Sequence, residues 1–264
     1  MTNSGLPDED STPRRGARIR NSKEDLTPMR KFLKNPIVAF FVDILSIVAT
    51  ALVLSLLIKT FLIRSFFIPS GSMLNTLQIN DRIVVNELVP NVVPIERGDV
   101  IVFRDPGGWL GAVSTKQVPW TTQVTDWFLS SFGVTAPDSD VHLVKRVIGM
   151  PGDHVVCCDA NHKLTVNGVE ISEPYIMPGT SPSATKFNVT VPANSVWVMG
   201  DNRDNSEDSR YHQDLPSKGF VNFKFIVGRA FVITWPFSHF TWLDNYSSTV
   251  FKNVPSVLQN APKP

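Results

Sequence analysis

Three short stretches of the chain hold the residues that could do chemistry. The first is Phe67-Ile68-Pro69-Ser70-Gly71-Ser72-Met73. Pro69 restricts the residue before it to extended geometry, and Gly71 tolerates a close approach of backbone. The stretch can offer the Ser72 hydroxyl beside an extended segment, although Pro-Ser-Gly-Ser is also a common turn composition. The second stretch, HLVKRVIGMPGD, runs from His142 to Asp153. Consecutive side chains of a strand face opposite sides, so Lys145 or Arg146 must point toward the interior or a cleft. A lysine placed there has a depressed pKa, because desolvation disfavours the ammonium form, and a neutral amine can act as a base. A lysine guarding a strand edge is the plainer reading. The third stretch, GDNRDNSEDSR, spans Gly200 to Arg210 and packs four acids, two arginines and two serines behind an apolar run. Asx turns and Asp–Arg pairs can make such a loop rigid. A calcium loop is the competing reading, and Arg203 sits where such a loop needs an oxygen ligand.

These stretches need elements to hold them. RIVVNEL (82–88), DVIVFR (99–104), HVVCC (154–158), SVWVMG (195–200) and AFVITW (230–235) are β-branched or aromatic runs bounded by Gly, Pro and Asp, and predict short strands. KLTV-NG-VEI (163–171) predicts a hairpin, since Asn167-Gly168 suits the positive φ angles of a type I′ turn. Residues 105–140 break the pattern. They are rich in Gly, Ser and Thr and carry Trp109, Trp120, Trp127, Phe128 and Phe132, which reads as an insertion. Its aromatics suit either a satellite hydrophobic cluster or a bilayer interface.

Upstream, Ile37 to Ile58 is a run of 22 residues whose one charge is Asp43. At about 1.5 Å per residue, a helix of this length covers the ~30 Å hydrocarbon core. Ala49-Thr50-Ala51 resembles a signal-peptide cleavage triplet, but it lies inside the apolar run, and the run is too long for a cleaved leader. Residues 36–62 are therefore expected to be a retained single-pass anchor. Residues 1–35 carry eight Lys/Arg and no apolar period. They are expected to be a disordered basic segment on the cytoplasmic side, which places everything beyond the anchor outside the cytoplasm. Residues 63–104 and 141–236 form the expected β-rich domain, and 237–264 a C-terminal tail without a motif.

The formal net charge of +1 over 264 residues offers no basis for nucleic-acid binding. Cys157 and Cys158 are adjacent, which excludes a disulfide framework and a four-ligand zinc site; free thiols and a vicinal bridge both stay open. No metal or other cofactor is expected.

Taken together, the stretches resemble bacterial type I signal peptidases (leader peptidases), whose boxes occur here in order. These are Ser-Gly-Ser-Met (70–73), Arg-Gly-Asp-Val-Ile-Val-Phe (97–103), Lys-Arg-Val-Ile-Gly-Met-Pro-Gly-Asp (145–153), Gly200 to Arg210, and Gly228-Arg-Ala leading to Trp235-Pro236. The resemblance covers roughly residues 38–236. It implies a mainly β fold, an N-terminal transmembrane helix followed by an extracytoplasmic antiparallel sheet or barrel-like peptidase domain. It also implies a serine endopeptidase that removes signal peptides from exported preproteins after small residues at −1 and −3. Ser72 is similar to the family's nucleophile and Lys145 to its general base. Ser70 and the Ser72 N–H correspond to the oxyanion hole, and Ser206 to the serine that orients the lysine. Arg146, Asp201, Asp208 and Arg210 correspond to ion pairs that stiffen the site. Phe67, Ile68, Pro69, Met73 and Val144 correspond to substrate contacts. Implied partners are exported preproteins, the lipid bilayer and the secretion translocon nearby, with no nucleic acid. Two departures fall outside the catalytic set: the family usually has proline at Asn75 and glycine at Gln213.

A free lysine titrates near ~10.4, so a base working near neutrality needs its charged form destabilised by ~4 kcal/mol. Burial by Val144, Val147, Ile148 and docked substrate could supply this. Three other readings compete. A Ser-His-Asp hydrolase could draw on His142, His154, His162, His212 or His239, yet no Gly-x-Ser-x-Gly elbow occurs. Ser183-Ala-Thr-Lys186 has the Ser-x-x-Lys spacing of penicillin-interacting enzymes, but in a Pro-rich loop. A tethered, non-catalytic β-domain that binds exported chains is the third.

Overall fold

A computed structural model describes residues 36–111 and 142–256. Residues 1–35 and most of the expected insertion, including Trp120, Trp127, Phe128 and Phe132, lie outside the described residues. The chain divides into two compact units, Met1–Leu54 and Ser55–Pro264.

Helix α1 (Pro36–Phe61) carries the apolar run, and its Pro36–Leu56 portion is long and apolar enough to cross a membrane. The second unit is built of strands, as the β-branched runs require. In chain order these are β1 (Ile63–Phe67), β2 (Arg82–Asn86), β3 (Val100–Arg104), β4 (His142–Gly149), β5 (His154–Cys157), β6 (Leu164–Val166), β7 (Val169–Glu170), β8 (Phe187–Thr190), β9 (Ser195–Met199), β10 (Val221–Asn222), β11 (Ile226–Trp235) and β12 (Thr241–Trp242). The larger sheet has the order β1-β2-β11-β3-β4-β9-β10, with β12 added to β11, and the smaller has the order β7-β6-β5-β8. Every pairing is antiparallel. Both sheets are open, so the domain is not a closed barrel. Asn167 and Gly168 take φ angles of 54° and 79° and join β6 to β7, with Val166 opposite Val169, which is the hairpin predicted from their sequence.

β3 from Val100 to Phe103 and β4 from Lys145 onward are buried on both faces. Val100 and Val102 join a core with Phe66, Ile68, Met73, Leu77, Ile83 and Ile233, while Ile101 and Phe103 join another with Val147, Val196 and Val198. A third core fills the space under the smaller sheet, around Val155, Leu164, Phe187 and Trp197. Trp109, from the start of the expected insertion, packs into the second of these and stacks on His212 at 4.3 Å. The region after residue 236 is tied into the fold over its described length. β12 pairs with β11, and Phe251 and Val254 are buried. Cys157 and Cys158 are bridged.

Candidate active site

Ser72 sits on an excursion between β1 and β2 that is closed at its base. The Ile68 N–H donates to the Asp81 carbonyl and the Asn80 N–H to the Ile68 carbonyl, both at 2.9 Å. Within it, Leu77 N–H donates to the Met73 carbonyl at 2.8 Å, forming a tight turn pinned by the buried Met73 and Leu77 side chains. Ser72 is left half-buried at the rim of this turn.

Lys145 arrives from β4, and its Nζ lies 2.8 Å from Ser72 Oγ. Lys145 is 3% exposed and Arg146 1% exposed, so burial takes both residues of the pair and not one. The alternation of strand faces required one polar side chain to go inward; covering β4 on both sides sends the second inward as well. Burial lowers the Lys145 amine from 10.5 to about 8, against the opposing pull of the Asp208 and Asp201 carboxylates. Ser70 Oγ lies 3.4 Å from Ser72 Oγ.

The loop from Gly200 to Arg210 closes the site with buried ion pairs. Arg146 holds Asp201 through Nε (2.9 Å) and Nη2 (2.7 Å), and its Nη1 donates to the Gly98 carbonyl at 2.7 Å. The Arg146 guanidinium also lies over the Tyr175 ring at 4.3 Å. Arg210 holds Asp208 through Nε and Nη2, each at 2.8 Å. Burial would raise the Asp208 carboxyl, but the Arg210 bonds and the Gly200 N–H outweigh it and hold the pKa below the usual carboxylate range. Arg203, absent from the expected set, forms a third buried pair with Glu173, and its Nε donates to the Gly200 carbonyl at 2.9 Å. An arginine among acids was a visible signal. Its partner, thirty residues upstream in another loop, was not.

One expectation needs correction. No hydrogen bond joins Ser206 to Lys145: the buried Ser206 Oγ has no partner among the described residues. The hydroxyl occupies the space where a side chain on Gly200 would go, 2.1 Å from the position of such a Cβ, while Lys145 Nζ turns to Ser72. The expected substrate contacts differ in exposure. Phe66 and Ile68 share the buried face at 2% exposure each, and Met73 is 1% exposed, so Ile68 and Met73 are core residues. Phe67, Pro69 and Val144 keep exposed or half-exposed surface.

Three of the five histidines that compete for a catalytic role bond elsewhere: His154 to Asn188, His212 to the Asp208 carbonyl and His239 to Asp81, and the His142 ring packs on Phe66 at 5.2 Å. Ser183 Oγ donates to the Thr185 carbonyl, so the Ser-x-x-Lys spacing marks a local turn. Asn75 takes φ of 83°, a value closed to proline, and its Nδ2 donates to the carbonyls of Tyr175 and Ile176. This departure therefore ties the serine turn to the loop of the smaller sheet. Gln213 Nε2 donates to the Arg210 carbonyl at 3.0 Å. Among the described residues, no three His, Cys, Asp or Glu side chains gather as a metal site.

A hydroxyl held against a buried, weakly basic amine on an antiparallel β scaffold is the arrangement of a serine–lysine hydrolase. The chain belongs to the family described as "Signal peptidase, peptidase S26", whose sequence model matches residues 41–235. It is similar to signal peptidase I of Mycobacterium tuberculosis, with 40% identity over 190 residues, covering 64% of this chain and 63% of that protein. A probable signal peptidase I-2 of Synechocystis shares 34% over 188 residues, covering 71% of this chain and 70% of that one. Signal peptidase I of Pseudomonas aeruginosa shares 31% over 223 residues, covering 68% of each. The chain thus spans a little under two thirds of the mycobacterial protein.

Proposed function

We propose that this chain is a membrane-anchored serine endopeptidase that removes signal peptides from exported preproteins, with Ser72 as nucleophile and Lys145 as general base. The observation that carries this reading is the 2.8 Å separation of Lys145 Nζ and Ser72 Oγ, combined with an amine lowered to about 8. Below that pH the ammonium donates to the hydroxyl and blocks it. Above it, the neutral amine takes the Ser72 proton as Oγ attacks the scissile carbonyl. Lys145 then returns the proton to the leaving amine, and water hydrolyses the acyl-enzyme. Ser70 Oγ and the Ser72 N–H receive the developing oxyanion. The pairs around Asp201, Asp208 and Arg203 hold the dyad in place, and Ser206 keeps its assignment to the lysine on family resemblance alone.

The strand pairing among the described residues supports strand addition as the mode of substrate binding. β1 is the terminal strand of its sheet, and Leu143–Lys145 of β4 pair with β3 alone, since pairing with β9 begins at Arg146. Residues −1 and −3 of an added strand face the same side, which suits recognition of two small residues. The excess of Lys/Arg before α1 supports a single-pass topology with the N-terminus cytoplasmic and the β-domain outside, near the translocon. Bilayer contact by the β-domain is supported by an exposed aromatic group comprising Trp235, Phe237, Phe240 and Trp242.

The test is incubation of the purified full chain with a secretory precursor, with the cut site read by mass spectrometry. Ser72→Ala and Lys145→Ala are each expected to abolish cleavage without loss of fold. Full activity in either variant refutes the dyad.

A further inference from the structure

Asn202 grips the serine turn from across the site. Its backbone N–H donates to the Ser72 carbonyl at 3.1 Å, and its side-chain Nδ2 donates to the Gly71 carbonyl at 2.9 Å. Asn202 is 6% exposed, and its neighbours Asp201 and Arg203 are locked in buried ion pairs, so the carboxamide is presented from a fixed frame. The Gly71 carbonyl and the Ser72 N–H belong to one peptide group. That group is planar and trans, so its C=O and N–H point in opposite directions. Fixing the carbonyl fixes the aim of the N–H. The other donor to the Gly71 carbonyl, Leu74 N–H at 3.2 Å, lies in the same turn and would rotate with it. Among the described residues, only Asn202 ties this peptide to a separate part of the fold. Gly71 itself has little resistance to rotation of its flanking peptides.

We propose that Asn202 is a positioning residue for the oxyanion hole: its carboxamide holds the Gly71–Ser72 peptide so that the Ser72 N–H faces the substrate oxyanion. The inference rests on Ser72 being the nucleophile of the proposed peptidase. It assigns Asn202 no contact with substrate and no proton to move. The backbone half of the grip survives any substitution but proline at this position, so removing the side-chain donor frees the peptide while leaving the turn attached.

The test compares the full-length wild type with Asn202→Asp, which keeps the shape and loses the donor, and with Asn202→Ser, whose hydroxyl is too short to reach. Thermal melting of each variant reports folding, so Asn202→Ser carries the comparison if Asn202→Asp does not fold. Loss of a whole oxyanion donor typically costs 10²–10³ in kcat. Freeing one is expected to lower kcat about 100-fold with KM within about threefold of wild type. A peptide aldehyde, which forms a tetrahedral adduct on Ser72, should lose affinity by a similar factor. In Asn202→Ser, which adds no charge near Lys145, the pH midpoint of the rate should stay where Lys145 sets it. A folded variant with kcat within about twofold of wild type overturns the proposal. So does a loss confined to KM, or unchanged aldehyde affinity. A shifted pH midpoint in Asn202→Ser overturns it too, by showing that Asn202 acts through the dyad. If the wild type itself fails to cut a precursor in a Ser72-dependent way, the fault lies with the proposed function and not with Asn202.

Discussion

Replacing Lys145 by methionine should make the protein inactive and, near neutral pH, more stable. The folded chain holds the amine at about 8, whereas an unfolded chain returns it to 10.5. At about 1.4 kcal/mol per pH unit, the buried ammonium destabilises the fold by ~3 kcal/mol. Methionine fills a similar volume without charge but gives up the contact to Ser72 Oγ, worth roughly 0.5–1.5 kcal/mol. A net gain of ~2 kcal/mol is expected at pH 6–7. Its pH dependence is the sharper signature. Below pH 8 both folded and unfolded states carry the proton, and the wild type bears the full penalty. Between 8 and 10.5 the unfolded chain retains a proton that the folded one has released, so wild-type stability climbs with pH. The advantage of the variant should shrink across that window and vanish, or reverse, above it. Urea unfolding of both proteins, followed by tryptophan fluorescence from pH 6 to 10, measures this directly. A difference that stays constant with pH, or a variant less stable than wild type at pH 6, would refute the account of Lys145 as a buried amine neutral near pH 8.

The same titration should govern the rate. The logarithm of kcat/KM is expected to rise with unit slope toward pH 8 and then level off, and a profile flat from pH 6 to 9 would exclude Lys145 as base. Gly200→Ala should lower both stability and cleavage, because its Cβ would lie 2.1 Å from Ser206 Oγ and 2.4 Å from the Ser72 carbonyl. Overpacking of this kind costs about 1–3 kcal/mol, readable as a lower melting temperature. Asp201→Ala strands the buried Arg146 charge and should cost ~3–5 kcal/mol in urea unfolding, with part regained on adding Arg146→Met.

Much of the scaffold could be read from local composition, because β-branched runs and Asn167-Gly168 act through short-range preferences that tertiary packing here leaves unopposed. The chemical groups were also visible, Ser72 and Lys145 as a hydroxyl and an interrupted apolar strand. What the residues could not disclose was distance. Nothing local says that Arg203 reaches Glu173, that Asn202 reaches Gly71, or that the Ser206 hydroxyl fills the space beside Gly200. The described part of the C-terminal region carries few β signals of its own, and its attachment depends on β11 being there to receive β12.

The order of strands in the larger sheet has a consequence for the site. The half that bears Ser72, β1-β2, and the half that bears Lys145, β3-β4-β9, are joined through β11, which follows all of them in the chain. The spacing of the two side chains therefore depends on a strand remote from both in sequence, so a change in the register of β11 would separate them without touching either residue.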